Sequence, residues 1–201
     1  DGDQGNLEAI AKLCKKFGAY LIVDEAHSAG IFGAQGRGLV NELGLEDQVF
    51  AKLITFGKAY GSHGAIVVGS KELRTYLINF SRSFIYTTAL PPASITRIAA
   101  VVEAVKQMDQ ERIKLKLNAD YFTATVKETS VNCMPSASAI QSIMVRGNQA
   151  AKNKAAELKA AGFAVKAILY PTVPKQSERI RICLHSFNSQ EDIKKLIHLF
   201  A

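Results

Sequence analysis

Ala19-Tyr20-Leu21-Ile22-Val23-Asp24-Glu25-Ala26-His27 is the stretch whose reading decides the fold. Five apolar residues run almost without interruption and end abruptly in two carboxylates and an imidazole. That is the pattern of a parallel strand covered on both faces. Just upstream, Leu7, Ile10, Leu13, Cys14 and Phe17 recur at helical spacing after Asn6, and Gly18 stands where a C-terminal cap belongs. A helix delivered straight into such a strand implies crossover units and an α/β architecture built on a mainly parallel sheet with helices. In open sheets of that kind the C-terminal strand ends line the ligand crevice. Asp24 and His27 are therefore candidate site residues.

A second strand end carries a different chemistry. Phe50 to Thr55 feeds the turn Phe56-Gly57-Lys58-Ala59-Tyr60-Gly61-Ser62-His63-Gly64, and an apolar run from Ala65 to Gly69 leaves it. The glycines allow close backbone approach, and a lysine desolvated there becomes a nucleophile or base. A lone loop lysine is normally solvated, so Lys58 gains meaning only from its company.

Further along, the sequence predicts a helix from Lys71 to Ser81 with Leu73, Tyr76, Leu77 and Phe80 inward. Phe84 to Pro92 reads as an extended strand and turn, since Pro91 and Pro92 exclude a helix across them; Pro92 can open the next one. A long helical stretch from Ala93 to about Glu128 has a break near Asp109. The pattern then changes to a small α+β unit: strand Ile140 to Val145, helix Gln149 to Ala161, strand Phe163 to Ile168, a Pro-Thr-Val-Pro turn, strand Arg179 to Leu184, and a last helix opened by a Ser189/Asp192 capping box. The expected division is a large-domain portion at residues 1–109, a helical connector at 110–135 and a C-terminal α+β domain at 136–201.

The 201 residues begin at Asp1, and the first residues read as the middle of something longer, so a fragment of a larger protein is expected. The net charge of +7 comes from basic residues spread among apolar positions, which suits solvated helix faces or a phosphate-bearing ligand better than nucleic acid. No apolar run approaches the roughly 18 residues that span a bilayer, so no membrane partner is expected. Cys14, Cys133 and Cys183 are widely separated and lack CxxC spacing; a reducing cytoplasm is expected, with no metal site.

Asp24-Glu25-Ala26-His27 also occurs as a box in helicase motors, but such a motor needs a Gly-x-x-x-x-Gly-Lys-Ser/Thr phosphate loop, which this sequence lacks. The ordered set Asp24-Glu25-Ala26-His27-Ser28-Ala29-Gly30, Gly33-x-x-Gly36-Arg37-Gly38, Thr55-Phe56-Gly57-Lys58-Ala59-x-Gly61 and Tyr86-Thr87-Thr88-Ala89-Leu90-Pro91-Pro92 instead resembles the α-oxoamine synthases, pyridoxal-phosphate enzymes of the aspartate-aminotransferase fold. The resemblance runs through the whole chain and covers about the C-terminal half of the family's length.

The resemblance implies pyridoxal 5'-phosphate as cofactor and a role for each matching residue. Lys58 would form the Schiff base with the cofactor aldehyde and, once displaced, take the Cα proton. Asp24 would pair with the protonated pyridine nitrogen, keeping the ring an electron sink. His27 would hydrogen-bond the ring's phenolic oxygen and Thr55 the phosphate. Thr87 and Thr88 match hydroxyls that reach a phosphate in the neighbouring subunit, which implies a homodimer with the active site at the subunit interface. Arg181 matches the arginine that binds the substrate carboxylate, while Arg179 is expected to be solvated. Thr172 matches a substrate-side position, and a plain turn residue between prolines is an equal reading. His63 and His185 receive no role.

The implied reaction joins a small amino acid to an acyl thioester with loss of carbon dioxide and release of the thiol. Ala139-Ile140-Gln141-Ser142 and Pro171-Thr172-Val173-Pro174 look most like the members that use L-alanine and a pimeloyl thioester in biotin synthesis; serine- and glycine-using members are the rivals. The family's other half supplies the glycine-rich phosphate turn and the ring that stacks on the cofactor, so the 201 residues alone are expected to be inactive. An inert fragment or non-catalytic subunit is the reading of another class, disfavoured because such a protein has no chemical need of Lys58.

Overall fold

The structure, a computed structural model, describes residues 1–200. The chain divides into two compact units, one of residues 6–109 and one in which residues 1–5 join residues 110–201.

The first unit opens with α1 (Leu7–Phe17), whose N-terminus is closed by the Asn6 side chain accepting from the Ala9 N–H at 3.1 Å. Gly18, at φ +63°, ends it in the left-handed conformation that a glycine adopts without strain. β1 (Ile22–Asp24) pairs in parallel with β2 (Ala51–Thr55), and β2 pairs antiparallel with β3 (Ala65–Gly69), giving a three-stranded sheet in the order β1-β2-β3. The crossover between β1 and β2 contains a 3₁₀ turn at Ala34–Gly36 and the short α2 (Leu39–Glu42). Ala11, Val23, Val40 and Leu45 form a small buried core beneath this crossover.

Three expectations for this unit are corrected. β1 is covered on one side only: Val23 is buried, whereas Ile22 is 58% exposed, because no element among the described residues of the unit packs over its face. α3 (Lys71–Phe80) does turn Leu73 and Leu77 inward, but Tyr76 and Phe80 point outward and lean on each other, ring centroids 4.9 Å apart. The stretch expected to be extended from Phe84 begins instead as a turn of helix, α4 (Arg82–Ile85). The N–H groups of Phe84 and Ile85 both donate to the Ser81 carbonyl, and the prolines forbid helix only further on. Pro92 does open α5 (Pro92–Lys106), and the break near residue 109 separates it from α6 (Asp109–Lys127).

In the second unit, β4 (Ile140–Met144), β6 (Arg179–Cys183) and β5 (Lys166–Ile168) form an antiparallel sheet with β6 in the centre. α6, α7 (Asn148–Ala160) and α8 (Gln190–His198) pack on one face of it. Phe122, Ile143, Leu158, Ile180, Ile193 and Ile197 are fully buried there, so α6, expected as a connector, contributes to this core. Fully burying one such side chain contributes about 1.5–3 kcal/mol, so this cluster dominates the unit's stability. Ser189 caps α8 as the sequence predicts, its hydroxyl accepting from the Asp192 N–H at 3.1 Å.

Candidate active site

β1 and β2 run in parallel, so their C-terminal ends lie at one edge of the sheet. Asp24 is in register with Leu53, two residues before Thr55, and alternation puts Asp24, Leu53 and Thr55 on the same face. Lys58 follows at the tip of the hairpin that returns into β3. Three backbone bonds define that hairpin: Phe56 N–H to Gly64 O at 2.9 Å, Ser62 N–H to Phe56 O at 2.7 Å and Gly61 N–H to Lys58 O at 2.9 Å. Phe56, buried at its base, meets Tyr60 edge to face, and Arg97 of α5 donates to the Gly61 carbonyl at 3.2 Å.

The loop that carries His27 is braced against the same hairpin. A Cβ on Gly30 would lie 2.8 Å from the Ala59 Cβ, so the two backbones approach as closely as only glycine permits there, and its φ of +88° suits glycine as well. Asp24 Oδ1 accepts from the Ala26 N–H at 2.8 Å, which turns the chain out of the strand and leaves His27, exposed, three residues on. The Asp24, His27 and Lys58 side chains are all exposed. The structure thus gathers Asp24, His27, Thr55 and Lys58 at one end of one sheet. Thr87 and Thr88 lie exposed on the segment before α5, whose Leu90 side chain packs over Gly64 at the end of the hairpin.

Thr55 presents the clearest sign of a missing partner. Its Oγ1 is buried and accepts or donates no hydrogen bond. A buried hydroxyl without a partner costs about 1–3 kcal/mol, which a polar ligand atom beside it would recover.

In the second unit, Arg181 lies on the central strand, opposite Ser142 on one side and Lys166 on the other. Its Nε is buried without a partner, and the side chain lines an open cleft of ≈ 540 Å³ with Lys159, Phe163, Lys166 and Cys183. Arg179, two residues earlier, is not solvated as expected. It is buried, with Nη1 2.7 Å from Asp1 Oδ2 and Nε donating to the Ser177 carbonyl at 2.8 Å. Its partner sits far away in sequence, which is why periodicity cannot reveal it. Thr172 is exposed in the turn after Tyr170. His185 stacks on Phe187 with ring centroids 4.8 Å apart. Among the described residues no cluster of His, Cys, Asp and Glu could hold a metal ion.

With that geometry in view, comparison with known proteins is decisive: residues 2–200 match the aminotransferase class I and II family. The chain belongs to that family. Among its relatives in the aminotransferase class I and II family, the 8-amino-7-oxononanoate synthase of Marinobacter nauticus is 38% identical over 202 residues, covering 100% of this chain and 51% of the relative. The 8-amino-7-oxononanoate synthase of Francisella tularensis superposes with a TM-score of 0.84 at 29% identity, covering 95% of this chain and 56% of that one. A structure of SPT with a PLP internal aldimine superposes with a TM-score of 0.91 at 27% identity, covering 99% of this chain and 50% of that one. The chain thus spans about half the length of the relatives it matches. Sequence reasoning missed one residue near this site: Glu25, whose side chain is wholly buried beside Asp24.

Proposed function

We propose that the whole protein is a pyridoxal-phosphate-dependent acyltransferase that condenses a small amino acid with an acyl thioester, releasing carbon dioxide and the free thiol. The amino acid is L-alanine and the acyl group pimeloyl, carried by coenzyme A or a carrier protein, giving 8-amino-7-oxononanoate for biotin synthesis. The observation that carries this reading is the orphaned Thr55 Oγ1 at the strand end beside Lys58 and Asp24. A hydroxyl, an amine and a carboxylate on one sheet end match the three polar handles of pyridoxal phosphate, namely phosphate, aldehyde and ring nitrogen. Likeness to curated 8-amino-7-oxononanoate synthases supports the choice of substrates.

When bound, the cofactor supplies an electron sink for the carbanion formed at the amino acid's Cα. The chain's own residues do the rest. Lys58 would hold the cofactor covalently, and its amine, when free, would serve as the base for the Cα proton. Asp24 would pair with the protonated ring nitrogen and His27 would hydrogen-bond the phenolic oxygen. Thr55 would donate to the phosphate, and Thr88 would reach the phosphate in the partner subunit of a homodimer. Arg181 binds the substrate carboxylate through its planar fork; its unpartnered Nε and Arg179's engagement with Asp1 both favour Arg181 over Arg179 for that task. Thr172 contributes on the substrate side.

The test is a condensation assay on the whole protein with alanine, serine and glycine against short and long acyl thioesters, read as carbon dioxide and thiol release. Alanine with pimeloyl thioester should react fastest, and Lys58→Ala should abolish the reaction. Preference for serine with a long acyl chain would instead favour a serine palmitoyltransferase, and for glycine with acetyl, a glycine C-acetyltransferase.

A further inference from the structure

The mechanism gives no task to Glu25, yet its side chain has no exposed surface and every polar group it owns is engaged. Its carboxylate accepts from the Leu39 N–H at 2.9 Å through Oε2 and from the Val40 N–H at 2.9 Å through Oε1, and Ser28 Oγ donates to Oε2 as well. Gly38 completes the socket: at φ +100°, a Cβ there would fall 2.6 Å from the Glu25 Cδ. The backbone is engaged too. The Glu25 N–H donates to Leu53 O at 2.8 Å, and its carbonyl accepts from the Ser28 and Ala29 N–H groups at 3.0 and 2.9 Å.

We infer that Glu25 is a positioning residue, a latch that fixes the turn carrying Asp24 and His27 against β2 by seating its carboxylate in the Gly38-Leu39-Val40 backbone and the Ser28 hydroxyl. The consequence for the site, which rests on the cofactor reading above, is geometric. Asp24 precedes the latch and His27 follows it by two residues, so the two groups assigned to the cofactor ring swing together if Glu25 is released. The far wall of the socket is itself tied down, with Gly38 N–H donating to Phe32 O at 2.8 Å and Gly30 N–H to Gly36 O at 2.7 Å. The latch therefore joins the strand end to a braced loop. A carboxylate suits it because it accepts several hydrogen bonds and donates none, and hydrogen bonds to a charged acceptor are stronger than neutral ones.

Glu25→Gln keeps the shape but turns an NH₂ toward the Leu39 or Val40 N–H, and Ser28→Ala removes one donor while sparing both backbone bonds. Two readouts are taken on the whole protein at a temperature where circular dichroism matches wild type. The first is amide exchange across residues 26–30 without cofactor; the second is the dissociation constant and visible band of bound pyridoxal phosphate. Glu25→Gln should speed exchange about tenfold, raise the dissociation constant about tenfold and shift the band, with Ser28→Ala giving about threefold in each. A lowered melting temperature with exchange, affinity and band all as in wild type would overturn the latch, since that is what a merely structural role produces. If Glu25→Gln does not fold, Ser28→Ala decides by the same readouts. Should wild type take up no pyridoxal phosphate, the cofactor reading fails and exchange alone judges the latch: unchanged exchange refutes it.

Discussion

The guanidinium of Arg179 lies 2.7 Å from the carboxylate of Asp1, across 178 positions of sequence, with only 6% of the arginine side chain exposed against 33% of the aspartate. The pair fastens residues 1–5 onto the C-terminal sheet, where Asp1 Oδ1 also accepts from the Ser142 hydroxyl at 3.2 Å. Removing Asp1 strands a buried charge, whereas removing Arg179 leaves a carboxylate that water can reach. Asp1→Ala should therefore cost about 2–3 kcal/mol, less than a fully enclosed pair because the aspartate is partly screened, and Arg179→Met should cost less. Arg181→Met, which loses a guanidinium with an unpartnered Nε, should leave stability unchanged or raise it. Urea denaturation of the three variants checks this order.

Thr55 invites a two-sided test. Its Oγ1 is buried and unsatisfied, so Thr55→Val should leave the cofactor-free protein as stable as wild type or up to about 1 kcal/mol more stable. The same substitution should weaken pyridoxal-phosphate binding about tenfold, if the hydroxyl donates to the phosphate. Denaturation without cofactor and a binding titration separate the two effects. Loss of stability with unchanged cofactor affinity would contradict the role assigned to Thr55.

Acid should unlock the second unit at Glu178. The buried carboxylate accepts from the Gly147 N–H at 2.8 Å, and this bond holds its pKa below the ordinary glutamate value. With the folded pKa lower than the unfolded one, the unfolded state binds more protons in between. The stabilisation is thus fully present above the ordinary value of about 4.3 and is lost as pH falls through the folded value. Glu178→Gln should flatten the decline in stability between pH 5 and the acid end, measured by denaturation at stepped pH; a parallel curve would refute the assignment.

The first unit leaves apolar strand surface bare. Ile66 and Val67 of β3 are each 45% exposed, and β3 is an edge strand. An exposed apolar edge pairs with other chains. The 201-residue chain should associate at micromolar concentration, and Val67→Lys should reduce that association, as read by sedimentation velocity. Monodisperse monomer for both would contradict this.

Local signals in the sequence went a long way. Asn6 and Gly18 frame α1, Ser189 caps α8 and Pro92 opens α5 because caps and prolines act on their own neighbours. The β1 and β2 ends are legible for the same reason, an apolar run stopping at Asp24 or at the glycine turn around Lys58. What stayed hidden depends on distant partners. Arg179 looks like any strand arginine until Asp1 is beside it, and Glu25 looks like a solvated companion of Asp24 until Gly38 to Val40 fold over it. A signal for Glu25 existed in Gly33-x-x-Gly36-Arg37-Gly38, glycines that announce a close approach without saying of what. Tyr76 and Phe80 defy the expectation because helical spacing reports an apolar stripe, not what lies against it.

Lys58 is the residue proposed to bind pyridoxal phosphate covalently. Borohydride reduction of the whole protein with pyridoxal phosphate, followed by proteolysis and peptide mass mapping, tests it most directly. One modified peptide is expected, with the reduced adduct on Lys58. An adduct on any other lysine, or none at all, would contradict it.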